Sequence, residues 1–203
     1  MPTTTYLLIA INVAISLIVF AIWSRPAGMR MGFFSPSEVA AGRGYPGMLL
    51  SHFSHADGGH LLFNMVTLYF FGPTVEYGLG TMNMLLIYVA AGILSTVVVY
   101  YRHRAEPEYR ALGASDSITG ILFAAIVLVP DSSIYFFLIP IPIPAPIFAV
   151  AYIVLSTYFM RRGGGQLSHE AHLAGAFAGL VLAGLLSPLG FGPLLRTFQS
   201  FFS

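Results

Sequence analysis

The chain has 203 residues, of which 57% are hydrophobic and only 8% charged, with a net charge of +1. An ordinary soluble domain has about a quarter of its residues charged, so this chain could not cover itself with a water-compatible surface, and we predict an integral membrane protein. The absence of cysteine excludes disulfides and thiolate chemistry, and the absence of a basic stripe argues against a nucleic-acid partner.

Six apolar stretches follow one another along the chain. A bilayer core takes about 20 helical residues per span, and fewer where a helix is short or enclosed. We predict helical spans over residues 6–23, 61–75, 82–101, 115–130, 146–159 and 170–186. The first lacks the basic start and cleavage site of a signal peptide, so it is retained as a span. The predicted fold is an all-α integral membrane protein, a six-transmembrane-helix bundle forming a single domain over residues 1–203.

Glycine, proline and charged residues mark the predicted connections. Residues 25–46 should lie outside the hydrocarbon or at its edge, Gly78–Gly80 should form a tight turn, and the charged residues 102–110 must lie in water or among headgroups. Proline stands at every second position from Pro140 to Pro146, which no regular helix can hold. We therefore predict an extended segment over Ile139–Ala145, with the helix proper starting at Pro146.

The arginines are divided unequally between the two sides of the predicted bundle. One side carries Arg25, Arg30, Arg43, Arg102, Arg104, Arg110, Arg161 and Arg162. Only Arg196 falls on the other side. The positive-inside rule predicts that the arginine-rich side faces the cytoplasm.

Polar side chains within or beside the spans are costly in a membrane, so each is a candidate for function. They form three clusters: Ser51, His52, His55, Asp57, His60 and Asn64; then Gly113, Ala114, Ser115, Asp116 and Ser117; then His169, Glu170 and His172. His60 and Asn64 are four residues apart and therefore share one helix face. We read His52, His55 and His169 as structural or solvent-facing, and Glu76 as a residue that caps or tethers a turn.

Two other chemistries compete for these clusters. A metal site could draw on His55, His60, His169 and His172, but the helical pattern His-Glu-x-x-His of zinc proteases is absent because position 173 is leucine. An ion or proton pathway would need carboxylates within the spans, where only Glu76 and Asp116 stand. We expect no metal and no cofactor.

Nucleophilic catalysis would use all three clusters together. It requires a hydroxyl, a base within hydrogen-bond reach and donors for the oxyanion. Ser115 could supply the hydroxyl and His172 the base, while His60 and Asn64 could supply the donors. Gly113 would let a substrate carbonyl approach the backbone closely.

These residues resemble one family, the rhomboid intramembrane serine proteases. The similarity runs from His55 to Gly179 through four motifs: His55-x4-His60-x3-Asn64, Glu76-x3-Gly80, Gly113-x-Ser115, and Ala171-His172-x2-Gly175-x3-Gly179. The resemblance implies a rhomboid-like bundle, Ser115 as nucleophile, His172 as general base, and His60, Asn64 and the Ser115 N–H as oxyanion donors. Gly175 and Gly179 form a small-xxx-small face, which predicts close packing of the sixth helix against the fourth.

The chain also departs from the family pattern. Asp116 stands where rhomboids normally have glycine after the nucleophile, and Thr119 stands where they usually have an aromatic residue. Ser117 as the nucleophile is the alternative register, but Gly120 falls five residues after Ser115 as in the family, so we keep Ser115. We expect Asp116 to lower activity by placing a carboxylate near the oxyanion. Bacterial rhomboids usually hold the arginine-rich side outside the cytoplasm, and we follow the family for orientation.

The resulting prediction is an intramembrane serine endopeptidase that cleaves the transmembrane helices of single-pass membrane proteins with a Ser-His dyad. Two alternatives remain: a catalytically silent rhomboid relative that binds membrane proteins and steers their degradation or trafficking, and a small-molecule transporter. We expect the lipid bilayer and transmembrane substrates as partners, no nucleic acid, and a location in the plasma (inner) membrane of a prokaryote. The sequence does not determine the oligomeric state.

Overall fold

Nine helices and a β-hairpin are present in the computed structural model, which describes residues 1–22, 31–136, 139–162 and 168–201. The helices are α1 Thr3–Ile22, α2 Pro36–Ala40, α3 Tyr45–Leu50, α4 Gly58–Leu79, α5 Thr81–His103, α6 Ser115–Leu128, α7 Ala145–Arg162, α8 His169–Leu186 and α9 Gly192–Ser200. The strands are β1 Ser133–Phe136 and β2 Ile139–Pro144. Six of these helices, 14 to 23 residues long, form the expected bundle.

Helix α6 lies at the centre of this bundle. It packs mainly against α8, α4 and α5, and every side chain from Asp116 to Val127 is buried. Its apolar residues, including Ile121 and Phe123, form the core with residues of the surrounding helices. The helix that begins at Ser115 is therefore enclosed by protein.

The outer helices present their apolar side chains to the surroundings. Among the described residues, α1, α5 and α8 are each long and apolar enough to cross a membrane, and α6 is apolar but shorter. Large exposed apolar residues such as Ile18, Phe70 and Ile93 lie on α1, α4 and α5. A lipid environment accounts for this exposure, because soluble proteins rarely expose extended apolar patches.

A buried carboxylate joins α1 to α4. Glu76 accepts hydrogen bonds from the backbone N–H groups of Thr4 and Thr5, both at 2.8 Å, and from the Thr5 hydroxyl at 2.8 Å. The first N–H groups of a helix lack partners within the helix and favour a negative charge beside them. Glu76 therefore tethers the start of α1. The sequence predicted a structural role for Glu76 but placed it at a turn.

The ends of α4 are defined by Asp57 and Gly80. The Asp57 side chain accepts the His60 backbone N–H at 2.8 Å as an N-cap, and this hydrogen bond lowers the pKa of its carboxyl. Gly80 ends the helix with φ +82°, a conformation that favours glycine. The helix continues through Gly78 and Leu79, so the predicted three-residue turn is reduced to Gly80 alone.

The alternating prolines form an extended strand, as predicted. β2 pairs antiparallel with β1, Ser133 facing Pro144 and Ile134 facing Ile143, and α7 begins one residue before the predicted start. Prolines at alternate positions leave the remaining backbone N–H groups on one edge, so only that edge can donate to a partner strand. The hairpin is an addition to the predicted all-helical fold.

The connection between α1 and α4 is held to the segment that leads into α6. Phe34 and Ala111 exchange two backbone hydrogen bonds, at 2.7 Å and 3.0 Å. The predicted loop at 25–46 contains the short helix α2, and its residues 25–30 lie outside the described part of the chain.

Candidate active site

Ser115 is the first residue of α6, and the segment before it is fixed by backbone contacts. Gly113 donates its N–H to the carbonyl of Ser51 at 2.9 Å. Its φ of +123° favours glycine, and a Cβ at this position would meet the imidazole of His60. Glycine at 113 therefore lets the chain turn into α6 directly beside His60.

The Ser115 hydroxyl is hydrogen bonded to His172. The distance between Ser115 Oγ and His172 Nε2 is 2.7 Å, although the two residues lie 57 positions apart in the chain. His172 stands in the first turn of α8. At this distance an imidazole can accept the hydroxyl proton as the oxygen attacks a carbonyl carbon.

Two glycines let α8 approach α6 closely enough for this contact. A Cβ built on Gly175 would overlap the carbonyl oxygen of Asp116, and one built on Gly179 would overlap that of Gly120. Backbone-to-backbone packing of this kind is typical of small-xxx-small faces. Because Gly175 follows His172 by three residues, the close approach brings the imidazole to Ser115.

The two predicted oxyanion donors occupy different positions relative to Ser115. His60 lies beside Gly113 and lines the same cavity as Ser115. Asn64 is one helical turn further along α4 and is buried, with its amide nitrogen 2.9 Å from His55 Nε2. The structure therefore brings His60 to the Ser115–His172 pair and ties Asn64 to His55.

His55 is a fully buried histidine between two polar partners. Its Nδ1 lies 2.8 Å from the Ser16 hydroxyl, which itself donates to the carbonyl of Phe53 at 3.1 Å. Nδ1 therefore carries the proton, and Nε2 accepts from the Asn64 amide. Burial, together with the neighbouring His60, lowers the pKa of His55 to about 4, which keeps the imidazole neutral.

A cavity of about 640 Å³, lined by both polar and apolar side chains, contains the Ser115–His172 pair. Its lining comes from the end of the bundle where α4, α6 and α8 begin and α5 ends, and includes His60, Arg102 and Arg110. We call this space the central cavity. It lies on the arginine-rich side of the bundle and has room for an unwound peptide segment and water.

His169 and His172 face different partners. The ring of His169 stacks on Phe159, with centroids 5.5 Å apart, whereas His172 is bonded to Ser115. The two histidines that the sequence offered as a metal pair are thus engaged separately.

Comparison with known proteins places these motifs in a family. The family model described as the Rhomboid domain matches residues 43–189, a range that contains Ser115 and His172. The chain belongs to the rhomboid family. The resemblance drawn from the motifs is therefore confirmed, and with it the multi-pass helical membrane fold.

Several curated relatives show similar levels of identity to this rhomboid. The presenilin-associated rhomboid-like protein A, mitochondrial, of Danio rerio is 31% identical over 172 residues, covering 83% of this chain and 45% of that protein. The RHOMBOID-like protein 12, mitochondrial, of Arabidopsis thaliana is 33% identical, covering 64% and 43%. The rhomboid protein 1, mitochondrial, of Saccharomyces cerevisiae is 28% identical, covering 90% and 53%. The chain spans about half the length of these relatives.

The predicted location in a prokaryotic plasma membrane is wrong. The relatives above are named as mitochondrial proteins and come from a fish, a plant and a yeast. Composition could not make this distinction, because an apolar, arginine-bearing bundle suits either membrane equally well.

Asp116 and Thr119, where this rhomboid departs from the family pattern, both have partners nearby. The Asp116 carboxylate accepts the Ser117 backbone N–H at 2.7 Å and lies 3.3 Å from His52 Nδ1. Thr119 donates its hydroxyl to the Ser115 carbonyl at 2.6 Å, as expected for a residue that bonds to local backbone. The partner of the Asp116 carboxylate is thus a histidine from the connection before α4.

A polar cluster centred on His103, beside the central cavity, was not predicted from the sequence. His103 lies between two carboxylates, with Nε2 2.5 Å from Glu170 and Nδ1 2.8 Å from Glu106, and its ring stacks on Tyr109 at 3.7 Å. The cluster connects the end of α5 to the start of α8, two residues before His172. The only sequence signal for this cluster is the high charge of residues 102–110. Its pairing with Glu170 joins residues 67 positions apart, which no local pattern indicates.

Proposed function

We propose that this rhomboid is an intramembrane serine endopeptidase that cleaves transmembrane segments of other membrane proteins. The observation that carries the proposal is the 2.7 Å hydrogen bond between Ser115 Oγ and His172 Nε2 inside the central cavity. The family membership supports a membrane-embedded protease, and the residues present include a candidate for each group that acyl transfer requires.

In the proposed reaction, Ser115 Oγ attacks the scissile carbonyl carbon while its proton passes to His172 Nε2. We assign the stabilisation of the negative charge that develops on the carbonyl oxygen to three donors, His60, Asn64 and the Ser115 N–H. His172 then gives its proton to the departing amine as the carbon–nitrogen bond breaks. Water, deprotonated by His172, releases the acyl group from Ser115 and restores the free hydroxyl.

The position of the pair supports a transmembrane helix as the substrate. Ser115 and His172 stand at the starts of α6 and α8, within a bundle whose outer surface is apolar. A helical substrate hides its peptide bonds in internal hydrogen bonds, so a stretch rich in small or helix-breaking residues should be cleaved because it unwinds most easily.

The names of the relatives support a mitochondrial membrane as the location. We further propose that residues 1–203 act as one membrane domain, since α1 is tethered to α4 through Glu76 although it precedes the matched range. Fluorescence microscopy of the tagged chain against a mitochondrial marker tests the location, and signal in another membrane contradicts it.

Fluorophosphonate labelling and cleavage of a model transmembrane substrate test the reaction. Ser115→Ala should abolish both signals, because the nucleophile is lost while the bundle is intact. His172→Ala should abolish cleavage, because in the described part of the chain no other base is hydrogen bonded to the Ser115 hydroxyl. Unchanged cleavage in either variant would contradict the assignment of Ser115 and His172 as the catalytic pair.

Ser117→Ala and His169→Ala are the matched controls, and both should retain labelling and cleavage. Labelling that survives in Ser115→Ala and disappears in Ser117→Ala would move the nucleophile to Ser117. A folded wild type that neither labels nor cleaves but retains membrane proteins would instead favour the catalytically silent rhomboid.

A further inference from the structure

Asp116 is a buried carboxylate next to the proposed nucleophile, and only 5% of its surface is exposed. Its Oδ2 lies 3.3 Å from His52 Nδ1, its Oδ1 accepts the Ser117 N–H, and the Ser95 hydroxyl of α5 faces the same group. A buried carboxylate needs a compensating charge as well as hydrogen bonds. His52 is positioned to supply that charge.

The hydrogen bonds around His52 determine where its protons lie. Its Nε2 is 2.7 Å from the Thr96 hydroxyl, and that hydroxyl donates its single proton to the carbonyl of Gly92 at 2.9 Å. Nε2 must therefore donate to Thr96. A neutral ring would then turn a lone pair on Nδ1 toward the carboxylate 3.3 Å away, whereas a protonated Nδ1 places a positive charge there. The two atoms are not aligned as a hydrogen bond, so the contact is an ion pair formed by proximity.

Two further features agree with an ion pair between His52 and Asp116. Burial lowers the pKa of His52, but the Asp116 carboxylate outweighs burial and raises the pKa above its ordinary value. Gly92 leaves the space that the pair occupies, because a Cβ there would meet the Ser117 hydroxyl and His52 Nδ1. The packing of α5 and α6 against the connection before α4 therefore leaves room for the His52–Asp116 pair.

The backbone of Asp116 links the segments that carry the two residues of the proposed catalytic pair. Asp116 follows Ser115 directly, and its carbonyl rests against Gly175, three residues after His172. We infer that the His52–Asp116 ion pair positions Ser115 against His172 and neutralises the carboxylate beside the oxyanion site, so that His52 and Asp116 are positioning residues for the proposed proteolysis. This inference rests on the proposed function.

The test is a double-variant cycle with His52→Gln and Asp116→Asn, two substitutions that keep shape while removing charge. Each single variant leaves one buried charge without its partner, which costs more than replacing both members of the pair. Each should lower kcat by about 10-fold or more with KM within about twofold, and the double variant should return to within about threefold of wild type. Additive losses, or single variants with wild-type kcat, would overturn the positioning role.

Two controls separate positioning from stability. Glu76→Gln weakens another buried carboxylate site, between α1 and α4, and should lower the melting temperature while kcat stays unchanged. Asp116→Gly, which restores the family residue, should lower kcat because it strands the His52 cation, and a rise in kcat would support repulsion by Asp116 and overturn the inference. If the single variants do not fold, the activity of the double variant tests the inference. A double variant that folds but is inactive would contradict the positioning role of the His52–Asp116 pair.

Failure of the inference differs from failure of the proposed function. If the wild type is active and the effects of His52→Gln and Asp116→Asn on kcat are independent, only the positioning role of the pair is refuted. A folded wild type that gives neither cleavage nor fluorophosphonate labelling removes the proteolytic function and the positioning role together.

Discussion

At the scale of single residues, His55 lies outside the reacting groups but holds one of the proposed oxyanion donors. Its neutral ring donates to Ser16 and accepts from Asn64. Because its pKa is about 4 in the fold and 6.5 as an ordinary value, the folded state binds fewer protons than the unfolded state between these limits. Stability linked to His55 is therefore present above pH 6.5 and is lost as the pH falls toward 4.

Thermal unfolding in detergent from pH 7 to pH 4 checks this linkage. His55→Gln cannot titrate, so its melting temperature should be lower than wild type at pH 7 and should fall less steeply below pH 6.5. Parallel curves for the two proteins would show that His55 does not carry the pH dependence.

His60 and Asn64 should both contribute to turnover as oxyanion donors. His60→Ala and Asn64→Ala are each expected to lower kcat by roughly 10- to 1,000-fold, the range for a single donor in comparable sites. Substrate titration of each variant separates kcat from KM. A change confined to KM would mean that the residue binds substrate but does not stabilise the transition state.

Spacing within single helices made some site residues predictable. His60 and Asn64 share a face by periodicity, and Gly175 and Gly179 predict close packing beside His172. The His52–Asp116 pair could not be predicted in the same way. His52 lies in an irregular connection, and its contact depends on the rotation of α5 and α6, which no local pattern encodes.

At the scale of helices, the close contact between α6 and α8 depends on two glycines of α8, which have no side chain. Gly175→Ala or Gly179→Ala would drive a methyl group into a backbone carbonyl of α6, an overlap that a flexible side chain cannot relieve. Overpacking of this kind costs about 1–3 kcal/mol, so each variant should lower the melting temperature by roughly 2–10 °C. Gly175→Ala should also reduce kcat, because it displaces the turn that carries His172.

Gly58→Ala is the matched control for these glycine variants. Gly58 lies in the first turn of α4, where no described atom lies within 4 Å of an added Cβ and φ is not positive. The substitution should therefore be neutral or slightly stabilising. If Gly175→Ala and Gly58→Ala melted at the same temperature, the close packing of α6 and α8 would not be limiting.

Helix positions were largely predictable because apolar stretches are a strong signal, whereas their ends were not. The helix α4 extends beyond the predicted span at both ends, since the Asp57 cap and Gly80 lie outside its most apolar part. The prolines predicted the extended β2, but its partner β1 reads as a short apolar run that suits a helix or a strand.

At the scale of the whole molecule, the proposed chemistry needs no metal. Cleavage should survive EDTA and phenanthroline, because three of the four candidate histidines, His172, His55 and His169, are engaged by Ser115, Asn64 and Phe159. The described residues also contain no group of three or more side chains placed to hold a metal ion. Activity assays before and after chelation check this expectation. Reversible loss of cleavage with recovery on adding zinc would point to a metal site instead.

Because α6 is enclosed by other helices, the position of the proposed nucleophile Ser115 should not depend on the thickness of the surrounding bilayer. Its 14 residues rise only about 21 Å, against a hydrocarbon core of about 30 Å, and its side chains from Asp116 to Val127 touch protein on every side. Hydrophobic mismatch in thin or thick membranes therefore acts on the outer helices, which can tilt, while neighbouring helices hold the depth of Ser115. Lipid acyl length should accordingly select which substrate bond reaches Ser115, with the internal geometry of the Ser115–His172 pair left unchanged.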